Sequence, residues 1–258
     1  MVAKPAGRRE IGYRLALLTR SPSPMPTLRP TFFWKTRNAC MAALLALSLG
    51  PLWAQENAAP EPPATPLERA VQAYESGDLK AAARAFTALS AQARPLPLAD
   101  YNLAMMHLRE ELPKPSPRRA ERLLKRAAAG GLVRAELALA QLYEQGLLGK
   151  PNLAQALTWN LRAAERGSSE AQVALATAYY LGRGTPPNPE QAAHWFREAA
   201  KSGDVGAQYL LASMYETGLG VPADLRLARY WYDIAARNGD EGAPYKLKAI
   251  DAQLGLAE

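Results

Sequence analysis

Along most of this chain small apolar, aromatic and polar positions return with one long period: Ala99, Ala135, Ala171, Ala207 and Ala243 stand 36 residues apart without a gap. Self-similarity at that spacing predicts stacked helix–turn–helix units, each burying its apolar face only against its neighbours. Tyr143, Tyr179 and Tyr215 recur on the first helix of the unit, which Gly146, Gly182 and Gly218 close three residues later. Trp159, Trp195 and Trp231 recur on the second helix, each followed by a pair of alanines. A large ring beside small residues lets two helices approach closely, so both aromatic columns are read as core and not as a ligand-stacking ladder.

The polar columns place the helix ends. Ser116, Asn152, Asn188 and Asp224 occupy one position of the repeat, and all four residue types accept hydrogen bonds from the open N–H groups of a helix start. Asn188 and Ser116 are each followed by a proline in the first helical position. Gly131, Gly167, Gly203 and Gly239 stand where a left-handed residue would end the second helix. Thr65, Pro66 and Glu68 form the pattern of a capping box ahead of a further helix pair that turns at Gly77 and Asp78. The chain therefore divides into a leader (1–54), a Pro-rich linker (55–64), a first helix pair (65–98), repeats at 99–134, 135–170, 171–206 and 207–242, and a capping helix (243–258). About eleven helices are expected.

The segment Ala207 to Gly239, AQYLLASMYETGLGVPADLRLARYWYDIAARNG, closely resembles a Sel-one-like repeat, a relative of the tetratricopeptide repeat, and 135–170 and 171–206 match nearly as well. The unit at 99–134 is degenerate, with His107 in place of the tyrosine and Leu123 in place of the tryptophan, while 65–98 looks more like a tetratricopeptide unit. The resemblance implies an all-α protein, a right-handed α-solenoid. For exported members it implies a non-catalytic adaptor or regulator that binds another protein or peptide in its concave groove. Alternatives are an accessory factor or hydrolase of cell-wall or exopolysaccharide pathways, and a secreted effector that binds a host protein. Cysteine-rich relatives are associated with penicillin binding or β-lactam hydrolysis, but this chain has a single cysteine, Cys40, and so lacks their pairs.

The first quarter of the chain changes the charge argument. Residues 39–49 form an apolar run behind Lys35 and Arg37 and ahead of Gly50, Pro51 and Ala54. That order is expected of a secretory signal cleaved near Ala54, with Met25 as a candidate start; an uncleaved membrane anchor is the competing reading, for which the run is short. Location in the periplasm or outside the cell is then expected, with no membrane association after cleavage. Eight of the 31 basic residues but only one of the 24 acidic ones precede residue 55, so the remainder is balanced in charge. The net charge of +7 belongs to the leader and gives the repeats no nucleic-acid signature.

No catalytic, cofactor or metal constellation is read from the repeats. His107 and His194 occupy different repeats and different columns, without a zinc-binding spacing. The stretch Gly182 to Pro187, GRGTPP, carries prolines where a phosphate cradle needs backbone N–H groups, and is read as the inter-helix loop. The candidate partner-binding residues lie on the surface. Tyr180 and Leu181 are apolar where neighbouring units hold Glu144, Gln145, Glu216 and Thr217. Tyr101 and Tyr209 belong to a column that also holds Leu137, Val173 and Tyr245, a candidate ladder whose competing use is packing. Arg118, Arg122, Lys125 and Arg126, drawn from a crowd that includes Lys114, Arg119 and Arg134, are predicted to share one face of the second helix of the degenerate unit. They could meet an acidic partner or an anionic envelope polymer; a solvated helix face is the competing reading.

Overall fold

The computed structural model describes residues 64–256, so the proposed leader and its cleavage site lie outside the described residues. Within that range the chain forms eleven helices and no strand: α1 (Pro66–Glu75), α2 (Leu79–Ser90), α3 (Pro97–Leu108), α4 (Pro117–Ala129), α5 (Val133–Gln145), α6 (Leu153–Glu165), α7 (Ser169–Leu181), α8 (Pro189–Lys201), α9 (Val205–Thr217), α10 (Leu225–Arg237) and α11 (Ala243–Gln253). Extensive packing runs only between helices adjacent in sequence, which is how a solenoid differs from a globular bundle.

The capping chemistry is local and appears as the sequence implies. Ser116, Asn152 and Asn188 each accept the N–H of the residue three positions on, and Asp224 accepts two such groups, from Arg226 and Leu227. Thr65 and Glu68 exchange both hydrogen bonds of a capping box. Gly131, Gly167, Gly203 and Gly239 all have positive φ. After the first helix of each unit the chain folds back, and the Asn152, Asn188 and Asp224 N–H groups bond the Tyr143, Tyr179 and Tyr215 carbonyls at 2.8–2.9 Å. The same residue thus caps the second helix with its side chain and ties down the loop with its backbone.

Two of these loops also set the distance to the preceding unit. Gly220 has φ +72°, and a Cβ there would lie 2.1 Å from the Pro189 carbonyl oxygen at the start of α8. Gly184 stands in the same relation to Leu153 at the start of α6. Backbone meets backbone at both places, which only glycine permits. The first two repeats carry Leu112 and Leu148 at this position, and both pack partly buried against the core.

The core is built largely from alanines, among them Ala99, Ala135, Ala171, Ala207 and Ala243, none of which is exposed to solvent. Small residues at the closest approach let Phe86, Leu124, Leu175, Phe196 and Tyr232 fill the spaces between turns. Trp159 and Trp195 are 9% exposed, in keeping with a core role, and Trp231 is partly buried. The capping helix α11 covers the end of the stack with Ala243 and Ile250, both fully buried, and is tied to α10 by the Arg229–Asp251 ion pair.

Candidate functional site

The sequence candidates separate once the helices are placed. Tyr209 is 2% exposed, its ring packed edge-on against Tyr232 at a centroid distance of 5.0 Å. This partner candidate is therefore a core residue: the column two positions after each alanine turns inward on α9, where Tyr232 supplies a ring to pack against. Tyr101, in the same column on α3, is partly buried against the apolar cluster of the N-terminal helices, while Tyr245 on α11 is 79% exposed. Leu181, the last residue of α7, is 43% exposed, and Tyr180 beside it is partly buried.

The basic candidates sit on α4, and the fold distributes them unequally. Lys125 is held by Glu121 one turn earlier at 2.6 Å, and the same Glu121 oxygen accepts the Tyr143 hydroxyl from α5. Arg126 reaches across to α3, where its guanidinium donates to both carboxylate oxygens of Asp100, and to α2, where it donates to the Ser90 hydroxyl and, at 3.0 Å, to the Ser90 carbonyl. Asp100 has no exposed surface. Its charge is offset by a guanidinium that spans three helices, and this clasp joins the first helix pair to the first full repeat.

Between α2 and α4 lies a cavity of about 470 Å³ lined by Ser90, Leu103, Arg119, Arg122, Leu123 and Arg126, among others. Arg122 and Arg126 were expected on one face with Arg118 and Lys125. The cavity instead gathers Arg119, Arg122 and Arg126, while Arg118 and Lys125 do not line it. Residues 119, 122 and 126 follow three- and four-residue steps along the helix, so the face was legible; which face α2 would adjoin was not. Neither Arg119 nor Arg122 has an ion-pair partner among the described residues.

The position after each leading alanine is polar in all four repeats, reading Asp100, Glu136, Gln172 and Gln208, and all four are buried. Gln172 and Gln208 donate to the Ala164 and Ala200 carbonyls that end the preceding helix, at 3.3 and 3.2 Å. Glu136 cannot donate when ionised. Burial first of all pushes its carboxyl above the ordinary glutamate value, against the pull of Arg166 and Arg162; its Oε1 lies 3.6 Å from Arg166, and its Oε2 has no hydrogen-bond partner among the described residues. This column carries the seams between units.

The histidines lie apart. His107 on α3 is 4% exposed, and burial, with Arg119 nearby, holds its imidazole below the ordinary histidine value. His194 on α8 is exposed and packs edge-on against Trp195. Among the described residues no group of three metal-ligating side chains converges, and no helix is long and apolar enough to cross a membrane.

The family model of the Sel1 repeat matches four consecutive segments, 97–132, 133–168, 169–204 and 205–240. The chain belongs to the Sel1 repeat family. The matched segments have the period read from the alanine columns, in a frame two residues earlier. A crystal structure of a Sel1 repeat protein from Oxalobacter formigenes is 32% identical over 69% of this chain and 49% of that one, with a TM-score of 0.56. The structure of c5321, a protective antigen present in uropathogenic Escherichia coli strains and described as displaying an SLR fold, is 25% identical over 74% of this chain and 42% of that one, with a TM-score of 0.64. The chain thus spans half or less of the length of both. No match to it is found among curated proteins. Sel1 repeats are in general protein-interaction scaffolds, typically without catalytic activity, and the α-solenoid architecture of this chain is theirs.

Proposed function

We propose that this Sel1 repeat protein is a non-catalytic adaptor or regulator of the bacterial cell envelope that binds a partner protein through side chains its repeats do not need for stacking. The observation that carries this reading is the separation of the two sets of residues. Positions common to the units, such as the alanine columns, are buried, whereas Leu181 stands 43% exposed in a column whose other members in the repeats are Arg109, Gln145 and Thr217. An apolar side chain that stacking does not require and solvent does not favour is suited to an interface core. The envelope setting is supported by the apolar run at 39–49 behind Lys35 and Arg37.

The test is affinity capture from an envelope extract of the source organism with the full chain and with Leu181→Glu. The reading expects one polypeptide recovered by the parent and lost by a variant whose helical content and unfolding midpoint are unchanged. Equal recovery by both proteins, or recovery of glycan without protein, would overturn it.

A further inference from the structure

The depression between α2 and α4 does more than leave two arginines in solvent. Arg119 and Arg122 occupy places where the three following repeats hold Gln155, Gln191 and Leu227, and Thr158, His194 and Tyr230. Stacking therefore does not call for a cation at either position. Placing three guanidinium groups at three- and four-residue steps on one helix is unfavourable through like-charge repulsion. Asp100 is taken up by Arg126, and Glu121, which Arg122 also influences electrostatically, is hydrogen-bonded to Lys125 and Tyr143. Arg126 is paired and fixed, so the guanidinium groups at the cavity without an ion pair among the described residues are those of Arg119 and Arg122.

The cavity does not end at the arginines. A second depression of about 400 Å³, lined by Ala83, Arg84, Thr87, Ala88 and Ala91, shares Thr87 and Ala91 with it. Together they form a trough along the outer side of α2. Its middle is Thr87 with Ala88 and Ala91, its floor at one end is Leu103 and Leu123, and arginine stands at both ends. A lone anion would use only one end of this trough, and a regular polyanion would find alanine where it needs a counter-charge.

We infer that the trough between α2 and α4 binds an extended acidic peptide segment of a partner protein, in which Glu or Asp side chains pair with Arg119 and Arg122 and small apolar side chains lie over the alanines of α2. Guanidinium groups bind carboxylates through paired N–H donors, and Arg119 and Arg122 are both exposed and line the same cavity. The inference rests on the scaffold reading above but uses a different surface from Leu181.

The experiment is fluorescence anisotropy on the full chain with a labelled, acetylated and amidated eight-residue peptide of alternating Glu and Ala, and with its Gln-for-Glu counterpart, at about 0.15 M salt, where long-range attraction is largely screened. The acidic peptide is expected to bind at least tenfold more tightly than the Gln peptide. Arg119→Gln combined with Arg122→Gln should lose at least tenfold, and Arg94→Gln combined with Arg134→Gln, which removes as much charge outside the trough, should lose less than twofold. Equal binding of the two peptides, equal loss in the two double variants, or stronger binding of long-chain polyphosphate than of the acidic peptide would overturn the inference. Any of those outcomes together with partner capture that still depends on Leu181 would leave the scaffold reading standing.

Discussion

Arg126 on α4 closes on both carboxylate oxygens of Asp100 on α3, and the same guanidinium holds the hydroxyl and carbonyl of Ser90 at the end of α2. A fully buried aspartate is thus paired with a cation whose own side chain is 45% exposed. Removing one member of such a pair strands the other, whereas replacing both by apolar groups need not. Arg126→Met is expected to lower stability by about 3 kcal/mol, and Asp100→Leu combined with Arg126→Met by clearly less. Urea unfolding of the three proteins checks this, and a double variant weaker than the single one would remove the clasp from the account.

The seam at Glu136 yields a pH prediction. Its carboxyl binds a proton more tightly in the folded chain than in the unfolded one, because burial penalises the charge. Between the ordinary glutamate value and the raised one the folded state holds more protons, so this group lowers stability as pH rises through that window and leaves it lowered above it. Glu136→Gln supplies the amide that Gln172 and Gln208 use in the same place. It is expected to stabilise the protein by about 1 kcal/mol at neutral pH, with the gain fading as pH falls below the window. Thermal melts of both proteins at several pH values read this directly; a gain that grows toward acid pH would contradict it.

Two glycines with positive φ separate backbone conformation from contact. Gly203 has open space where a Cβ would go, while at Gly220 the Cβ would collide with the Pro189 carbonyl. Gly203→Ala should cost about 1 kcal/mol, the penalty of the left-handed conformation alone, and Gly220→Ala about 3 kcal/mol or more. Denaturant unfolding distinguishes them. Equal losses would mean that the loop after α9 does not set the spacing between units.

Leu181 and Tyr209 form the matching surface and core pair. Leu181→Ala is expected to change stability by less than about 0.5 kcal/mol, as for an exposed side chain, and Tyr209→Ala to cost about 3–5 kcal/mol. Calorimetry on the two variants checks the assignment, and a large loss at Leu181 would return it to the stack.

The parts of this structure that were legible in the sequence are those decided within a few residues. A cap such as Asn188 and a loop glycine such as Gly182 are chosen by the backbone beside them, and repetition multiplied each signal by the number of units. What escaped was decided across helices. The clasp joins residues 26 and 36 positions apart, and no periodicity within α4 reveals that its 119–122–126 face, and not the one through Arg118, would adjoin α2. Between the two uses of its column, partner contact and packing, Tyr209 is decided in the same way, since the ring it packs on belongs to α10. The column of Asp100, Glu136, Gln172 and Gln208 did offer a signal: polar residues recurring beside fully buried alanines must be satisfied from inside the stack.

The claim most exposed to test is that side chains not needed for stacking make the contact with a partner protein. Photo-crosslinking in the source organism addresses it, with benzoylphenylalanine placed singly at Leu181, at the exposed Thr87 beside the arginines and, as a control, at Arg226 on the exposed side of α10. The account predicts crosslinked adducts to a partner polypeptide from positions 181 and 87 and none from 226. Adducts from all three positions alike, or from none, would contradict it.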